Sequence, residues 1–396
     1  MDRRLLLQLG LGAALPARVW AGAPETPRLL VVFLRGGYDA ANLLVPTAPF
    51  YAEARPNIAI PKGAALALDS DWGLAPALAD SVHPLWRHQQ AAFVPFAGSR
   101  DLSRSHFETQ DNIELGQAEQ GPRDFRSGFM NRLATVLGSP TRLQAMAFTD
   151  QLPLILRGEQ PVANQALRDV NKPAITPAQA QLISGMYAGT RFAEAVSGGF
   201  EVRDEVAREM AGMKSEDMAA EMQAASRGAI APKGFALEAR RVARLMRERV
   251  TLGFIDVGGW DTHVGQGGAT GTLATRLGEL GRGLALFADE MGPQWRHTVV
   301  VVMSEFGRTF RENGNRGTDH GHGSAYWVLG GAVRGGRIAG EQVAVSAATL
   351  HQHRDWPVLN EVRATLGGLF RRMYGLNDAQ LAQVFPGASP RDLGLI

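Results

Sequence analysis

The sequence predicts a doubly wound α/β domain with a mostly parallel sheet, flanking helices and a helical insertion. Three observations carry this reading. Continuous apolar runs of strand length recur along the chain, and each is followed by Gly, Ser or Asp. Amphipathic helical patterns lie between them, and strand–helix alternation of this kind builds a sheet covered on both faces. The length of 396 residues suits one large domain with an insertion.

The first 23 residues read as a targeting segment. Arg3-Arg4 gives a twin-arginine start, Leu5 to Ala17 is a short apolar stretch diluted by Gly and Ala, and Ala21-Gly22-Ala23 supplies an A-x-A cleavage site. Residues 1–23 are therefore expected to be a twin-arginine signal peptide, with the export machinery as a partner and a periplasmic or otherwise exported destination. Residues 24–396 form the α/β domain. Removing Arg3, Arg4 and Arg18 from 41 basic residues, and Asp2 from 39 acidic ones, leaves 38 of each. A balanced chain calls for no nucleic-acid partner. No apolar run after residue 23 is long enough to span a bilayer. The chain has no Cys, which excludes disulfides and thiolate ligands.

The first strand is Arg28 to Leu34, an unbroken apolar run that ends at Gly36-Gly37. Further runs predict strands at Ala91 to Phe96, Leu152 to Leu156, Val250 to Ile255, Thr298 to Met303 and Ala325 to Gly331. Leu273, Leu277, Leu280, Leu284, Phe287 and Met291 form one stripe, so Leu273 to Met291 is a helix. His83 and His88 fall in another helix, His297 precedes a strand, and His351 and His353 lie in a polar turn. From about residue 177 to 230 the chain is rich in Ala, Glu, Met and Gln. It reads as two helices followed by a linker near Gly228 to Gly234, forming either a cap over the site or a further packed layer.

Five polar clusters follow predicted strands, where ligands bind in open α/β sheets. The first presents Asp39 after a glycine turn, as a metal ligand or as an Asx-turn residue. The second, Gly258-Gly259-Trp260-Asp261-Thr262-His263, pairs a carboxylate with an imidazole in the manner of zinc sites. In the third, Glu305 leaves a very apolar strand and needs a metal or a cation; Arg308 is either that cation or free to bind an anionic substrate. The fourth, Thr318-Asp319-His320-Gly321-His322, puts two His and an Asp within four residues and is the sharpest metal signal. In the fifth, Ser105 is either an N-cap completed by Glu108 or a nucleophile at a helix N-terminus, where anions are stabilised.

The segments RGGYDAANLLVP, RSHFETQD, GGWDTHVGQ, SEFGRTFRENGNRGTDHGHGSAYWVLGGAVRGG and RDWPVLNEV together resemble the exported DUF1501 family, which is similar to the alkaline-phosphatase and sulfatase superfamily. The resemblance covers nearly the whole chain after residue 23 and implies an alkaline-phosphatase-like fold. It implies that Asp39 serves a second metal, that Ser105 stands where the covalent nucleophile belongs, that Asp261 and His263 bind the first metal, that Glu305 is the next acid, and that His322 or His320 is the late His ligand. The chain departs from the pattern at Ala40, where the family has Gly, and at Glu305-Phe306, where the superfamily has Asp-His. One His is then missing unless Asp319 or His320 replaces it, which leaves one ion or two open. The ion expected is zinc, with manganese, calcium or magnesium as alternatives. The expected activity is metal-assisted hydrolysis of a small anionic phosphate or sulfate ester, with Ser105 attacking and Arg308 neutralising the anion. The alternative is a non-catalytic, metal-stabilised binding or accessory protein in the periplasm.

Overall fold

The structure, a computed structural model, describes residues 26–118, 121–138, 145–167, 177–193, 196, 198, 200 and 227–396. The strands in chain order are β1 (Arg28–Leu34), β2 (Leu44–Pro46), β3 (Leu66–Ala67), β4 (Trp72–Leu74), β5 (Ala91–Gly98), β6 (Ala145–Ala147), β7 (Ala163–Asn164), β8 (Leu252–Val257), β9 (Thr298–Ser304), β10 (Ser324–Leu329), β11 (Arg337–Ile338) and β12 (Asn360–Glu361). Nine of them form one mixed, mostly parallel sheet in the order β11-β5-β10-β9-β1-β8-β6-β7, with β12 beside β5. β2, β4 and β3 form a small separate sheet.

β1 lies between β8 and β9 and runs parallel to both, in register from Leu29↔Leu252 and Arg28↔Thr298. Its side chains alternate between the two faces, as the pleat requires. Leu30, Val32 and Leu34 join one core with Phe235 and Val242 of helix Pro232–Glu248 and with the stripe of helix Thr272–Met291. Leu29, Val31 and Phe33 join the other with Leu133 of helix Phe129–Leu137 and Phe370 of helix Val362–Tyr374. Burying each such side chain contributes roughly 1.5–3 kcal/mol. The helix-covered sheet is thus an α/β fold.

β10 runs antiparallel to both β9 and β5. This reversal places the loop before β10 on the same rim as the C-terminal ends of β1, β5, β8 and β9. Four connections, after β1, β5 and β8 and between β9 and β10, therefore meet at one edge of the sheet.

The structure corrects three expectations. Leu152 to Leu156 is no strand: after Pro153, which has no N–H to give a ladder, Leu154–Leu156 makes a 3-10 turn. The expected linker at Gly228 to Gly234 stops early, because Pro232 opens helix Pro232–Glu248 at a position where its missing N–H costs nothing. His88 is the C-cap of helix Val82–Arg87, which holds His83. The expected insertion contributes helix Pro177–Tyr187. The remainder at 201–226, and the whole of 1–23, lie outside the described residues. No described helix is long and apolar enough to cross a membrane.

Candidate metal centre

The rim is built on close backbone approach. After β1 the chain turns through Gly36 and Gly37 at φ +119° and +61°, which side chains rarely adopt. A Cβ on Gly36 would stand 2.9 Å from the amide nitrogen of Asp261, and one on Gly37 would run into the ring of Phe306. The glycine pair thus lets the loops after β1, β8 and β9 touch.

Arg308, expected to face a substrate, instead pins these loops. Its side chain is fully buried. Nε donates to the Gly37 carbonyl, Nη1 to the Thr318 carbonyl at 3.2 Å, and Nη2 to the Gly36 carbonyl at 2.9 Å, the Trp260 carbonyl at 3.4 Å and Oδ1 of Asp261. Five acceptors surround it, and its burial keeps the guanidinium from any ligand.

Beside Asp261, three imidazoles converge. Nε2 of His106 and Nε2 of His320 are 3.0 Å apart, and Nε2 of His263 lies 3.1 Å from that of His320. Oδ1 of Asp261 is 2.9 Å from His263 Nε2 and 3.4 Å from His320 Nε2, while Oδ2 is 3.7 Å from His106 Nε2. His106, Asp261 and His320 offer ligand atoms all within 4.8 Å of one another, a group that could hold a metal ion. Ligands at 2.0–2.1 Å from a tetrahedral zinc stand about 3.3 Å apart, close to the 3.0 Å between Nε2 of His106 and Nε2 of His320.

The outer contacts settle the tautomers. Nδ1 of His106 meets Glu305 Oε1 at 2.8 Å, Nδ1 of His320 meets the Arg104 carbonyl at 3.0 Å, and Nδ1 of His263 meets Asp319 Oδ1 at 3.2 Å. A carbonyl or carboxylate oxygen only accepts, so each Nδ1 carries the hydrogen. In its neutral form each ring then turns its Nε2 lone pair toward Asp261. Lone pairs 3.0 Å apart repel unless a proton or a metal cation sits between them. Carboxylate and carbonyl partners behind the ligands are also the usual support of metal-bound His.

The charges agree with this arrangement. Burial works against ionised Asp261, but hydrogen bonds from His106 and His320 and the charge of Arg308 outweigh it and hold the carboxyl far below its usual range. Burial also works against charged His106, yet its bonds to Asp261 and Glu305 push the imidazole up to about 9. Glu305 is completely buried, and burial alone would raise it; hydrogen bonds from His106 and Gln110 and the charge of His106 bring it below the carboxylate norm. Its Oε1 also accepts from the Gly36 amide at 2.8 Å and its Oε2 from Ser304 Oγ at 2.8 Å.

Of the residues singled out in the sequence, Asp261, His263 and His320 come together. Glu305 and Asp319 stand one contact further out, orienting His106 and His263. Asp39 is elsewhere: Arg55 forks onto both its oxygens, at 3.0 Å for Nη2 to Oδ1, and Gln266 bonds to Oδ2. With both atoms buried and saturated, Asp39 is placed as a structural ion pair. His322 is buried away from the cluster, its ring 5.2 Å from that of His351, and burial with the charges of His351 and Arg104 lowers it to about 4. Ser105 is the N-cap of helix His106–Leu115, its Oγ 3.5 Å from the Glu108 amide. His106 was not among the predicted ligands. Its signal, a His just after the cap of a helix that follows a strand, is that of an ordinary first-turn residue. Phe306 packs its ring 4.9 Å from that of His106 and 5.1 Å from that of His320.

A model of the family described as "Protein of unknown function (DUF1501)" matches residues 26–385. No curated protein matches the chain. Among solved structures, Ps i-CgsB in complex with k-i-k-neocarrahexaose is similar at 10% identity and a TM-score of 0.39, over 90% of this chain and 74% of that one. A second structure of Ps i-CgsB is similar at 10% identity and a TM-score of 0.35, over the same shares.

Proposed function

The chain belongs to the DUF1501 family, and we propose that it is an exported, metal-dependent hydrolase-like protein of alkaline-phosphatase-like fold, acting on phosphate or sulfate esters. The observation that carries the metal is the group of His106, Asp261 and His320, with His320 Nε2 3.0 Å from that of His106 and 3.1 Å from that of His263. His106, His320 and Asp261 would hold one divalent ion with His263 beside them, zinc suiting this nitrogen-rich donor set best. Saturation of Asp39 by Arg55 favours one ion over two.

A divalent ion there supplies Lewis-acid polarisation of an ester oxygen. The chain's own residues do the rest. Glu305, Asp319 and the Arg104 carbonyl hold the rings in one tautomer. Ser105, at the N-terminal end of helix His106–Leu115, offers a hydroxyl where the helix dipole favours anions. Its Oγ would bond to phosphorus or sulfur as the bridging bond breaks and the hydroxyl proton leaves with the departing alcohol, and water would then cleave the Ser105 ester, restoring the hydroxyl and releasing the acid.

A second reading, a metal-stabilised periplasmic binding protein without turnover, is favoured by one observation. Ser105 Oγ already accepts from the Glu108 amide as the helix cap. Metal analysis of the purified protein and ester hydrolysis by wild type and Ser105→Ala decide the matter. Absence of bound zinc, manganese, calcium or magnesium overturns the metal. Full hydrolysis by Ser105→Ala removes the nucleophile. Bound metal with no hydrolysis of either ester class leaves the binding protein.

A further inference from the structure

We propose that Arg104 and Arg354 form a docking subsite for a second acidic group of the substrate, a sulfate, phosphate or other oxyanion carried beside the ester, so that the chain selects multiply charged esters. This rests on the reading of the neighbouring cluster as an ester-handling metal site.

Both arginines are tied to His320. The carbonyl of Arg104 accepts from His320 Nδ1 at 3.0 Å, and Nη2 of Arg354 donates to the His320 carbonyl at 2.8 Å. Their guanidinium groups converge on one oxygen. Oδ2 of Asp355 takes Nε and Nη2 of Arg104 at 3.1 and 2.8 Å and Nη1 of Arg354 at 3.2 Å. Two guanidinium groups thus share one wholly buried carboxylate oxygen. Among the described residues, Nη1 of Arg104 and Nε of Arg354 have no hydrogen-bond partner. The side chains remain 25% and 39% exposed, so those donors are open to a ligand.

The position is held under strain. Arg104, Gln352 and His353 adopt φ of +53°, +53° and +55°, a region non-glycine residues avoid. Nη2 of Arg104 also donates to Gln352 Oε1 at 2.8 Å, so two of the three are bonded to each other. Strained residues persist where the surroundings over-determine them, commonly at ligand clamps. A planar guanidinium with free donors suits a tetrahedral or planar oxyanion. Arg308 cannot serve in this way, because its side chain is fully buried.

The test is calorimetric titration of inorganic sulfate into the mature protein, before and after removal of divalent ions with a chelator. The expected result is binding in both states, weakened about tenfold or more by Arg104→Gln or Arg354→Gln, as loss of a charge-assisted bond implies, and largely kept in Arg354→Lys. Binding that disappears with the chelator, or that neither Gln substitution weakens, overturns the subsite. Sulfate held by these arginines in a protein that takes up no divalent ion keeps the subsite and sinks the metal reading. Should the variants fold poorly, arginine modification of the wild type, mapped by mass spectrometry, gives the same answer. Sulfate should slow modification of Arg104 and Arg354 but not of Arg244, which is 38% exposed; equal rates at all three overturn the proposal.

Discussion

Glu305 Oε1 lies 2.8 Å from Nδ1 of His106, and this one contact fixes which nitrogen of His106 faces Asp261. Glu305 is held in turn by the Gly36 amide, by Gln110 Nε2 at 3.0 Å and by Ser304 Oγ. Gln110 accepts from Arg35 at 2.8 Å, so the imidazole is positioned by a buried chain of bonds running back into β1.

Glu305→Gln should therefore weaken divalent-ion affinity by about 10–100-fold, the usual effect of losing the group behind a ligand His. Chelator competition measures this. An unchanged affinity would show that His106 is oriented by packing against Phe306 alone.

His106→Ala and His322→Ala test whether His106 or His322 completes the ligand set. His106→Ala should lose the ion at sub-stoichiometric levels in metal analysis, while His322→Ala should keep it, since His322 sits against His351 outside the cluster. Loss of the ion in His322→Ala with retention in His106→Ala would reverse the assignment.

Ion affinity should rise with pH. His106 stands at about 9, above its ordinary value of about 6.5, so the proton it binds stabilises the ion-free fold. That contribution is fully present below about pH 6.5 and is lost as pH rises through about 9. A divalent ion must displace this proton, so affinity climbs between these limits and flattens above them. Chelator competition across pH 6.5 to 9.5 would contradict this if it gave a constant affinity.

Arg55→Ala should cost stability without costing the ion. It strands the carboxylate of Asp39, which is 1% exposed, at an expense of about 3–5 kcal/mol. Chemical denaturation reads the loss, and metal analysis should give the wild-type stoichiometry. A loss of bound ion in a folded Arg55→Ala protein would return Asp39 to the ligand set.

The sheet was legible because its central strands are apolar on both faces: Arg28 to Leu34 and Thr298 to Met303 can be little else. β6 and β7 were not, being three and two residues long, and Pro153 sits inside the run that imitated a strand. Asp261, His263 and His320 were legible because glycine-flanked polar groups after such strands have few other uses. The pairing of Asp39 with Arg55 was hidden, since a short helix, Pro49–Ala54, brings a residue sixteen positions away back onto the turn. The fate of Arg308 was hidden too. Most of its partners are backbone carbonyls, which no side-chain motif records.

Those carbonyls bear on the order in which the protein is assembled. Gly36, Gly37, Trp260 and Thr318 belong to three different loops, and Arg308 laces them together through bonds made wholly of protein. Small zinc domains fold only when the ion gathers their ligands. Here the loops are gathered beforehand, so folding can be complete before any ion is captured. On the metal reading, the finished chain would take up its ion after folding and could exchange it without unfolding.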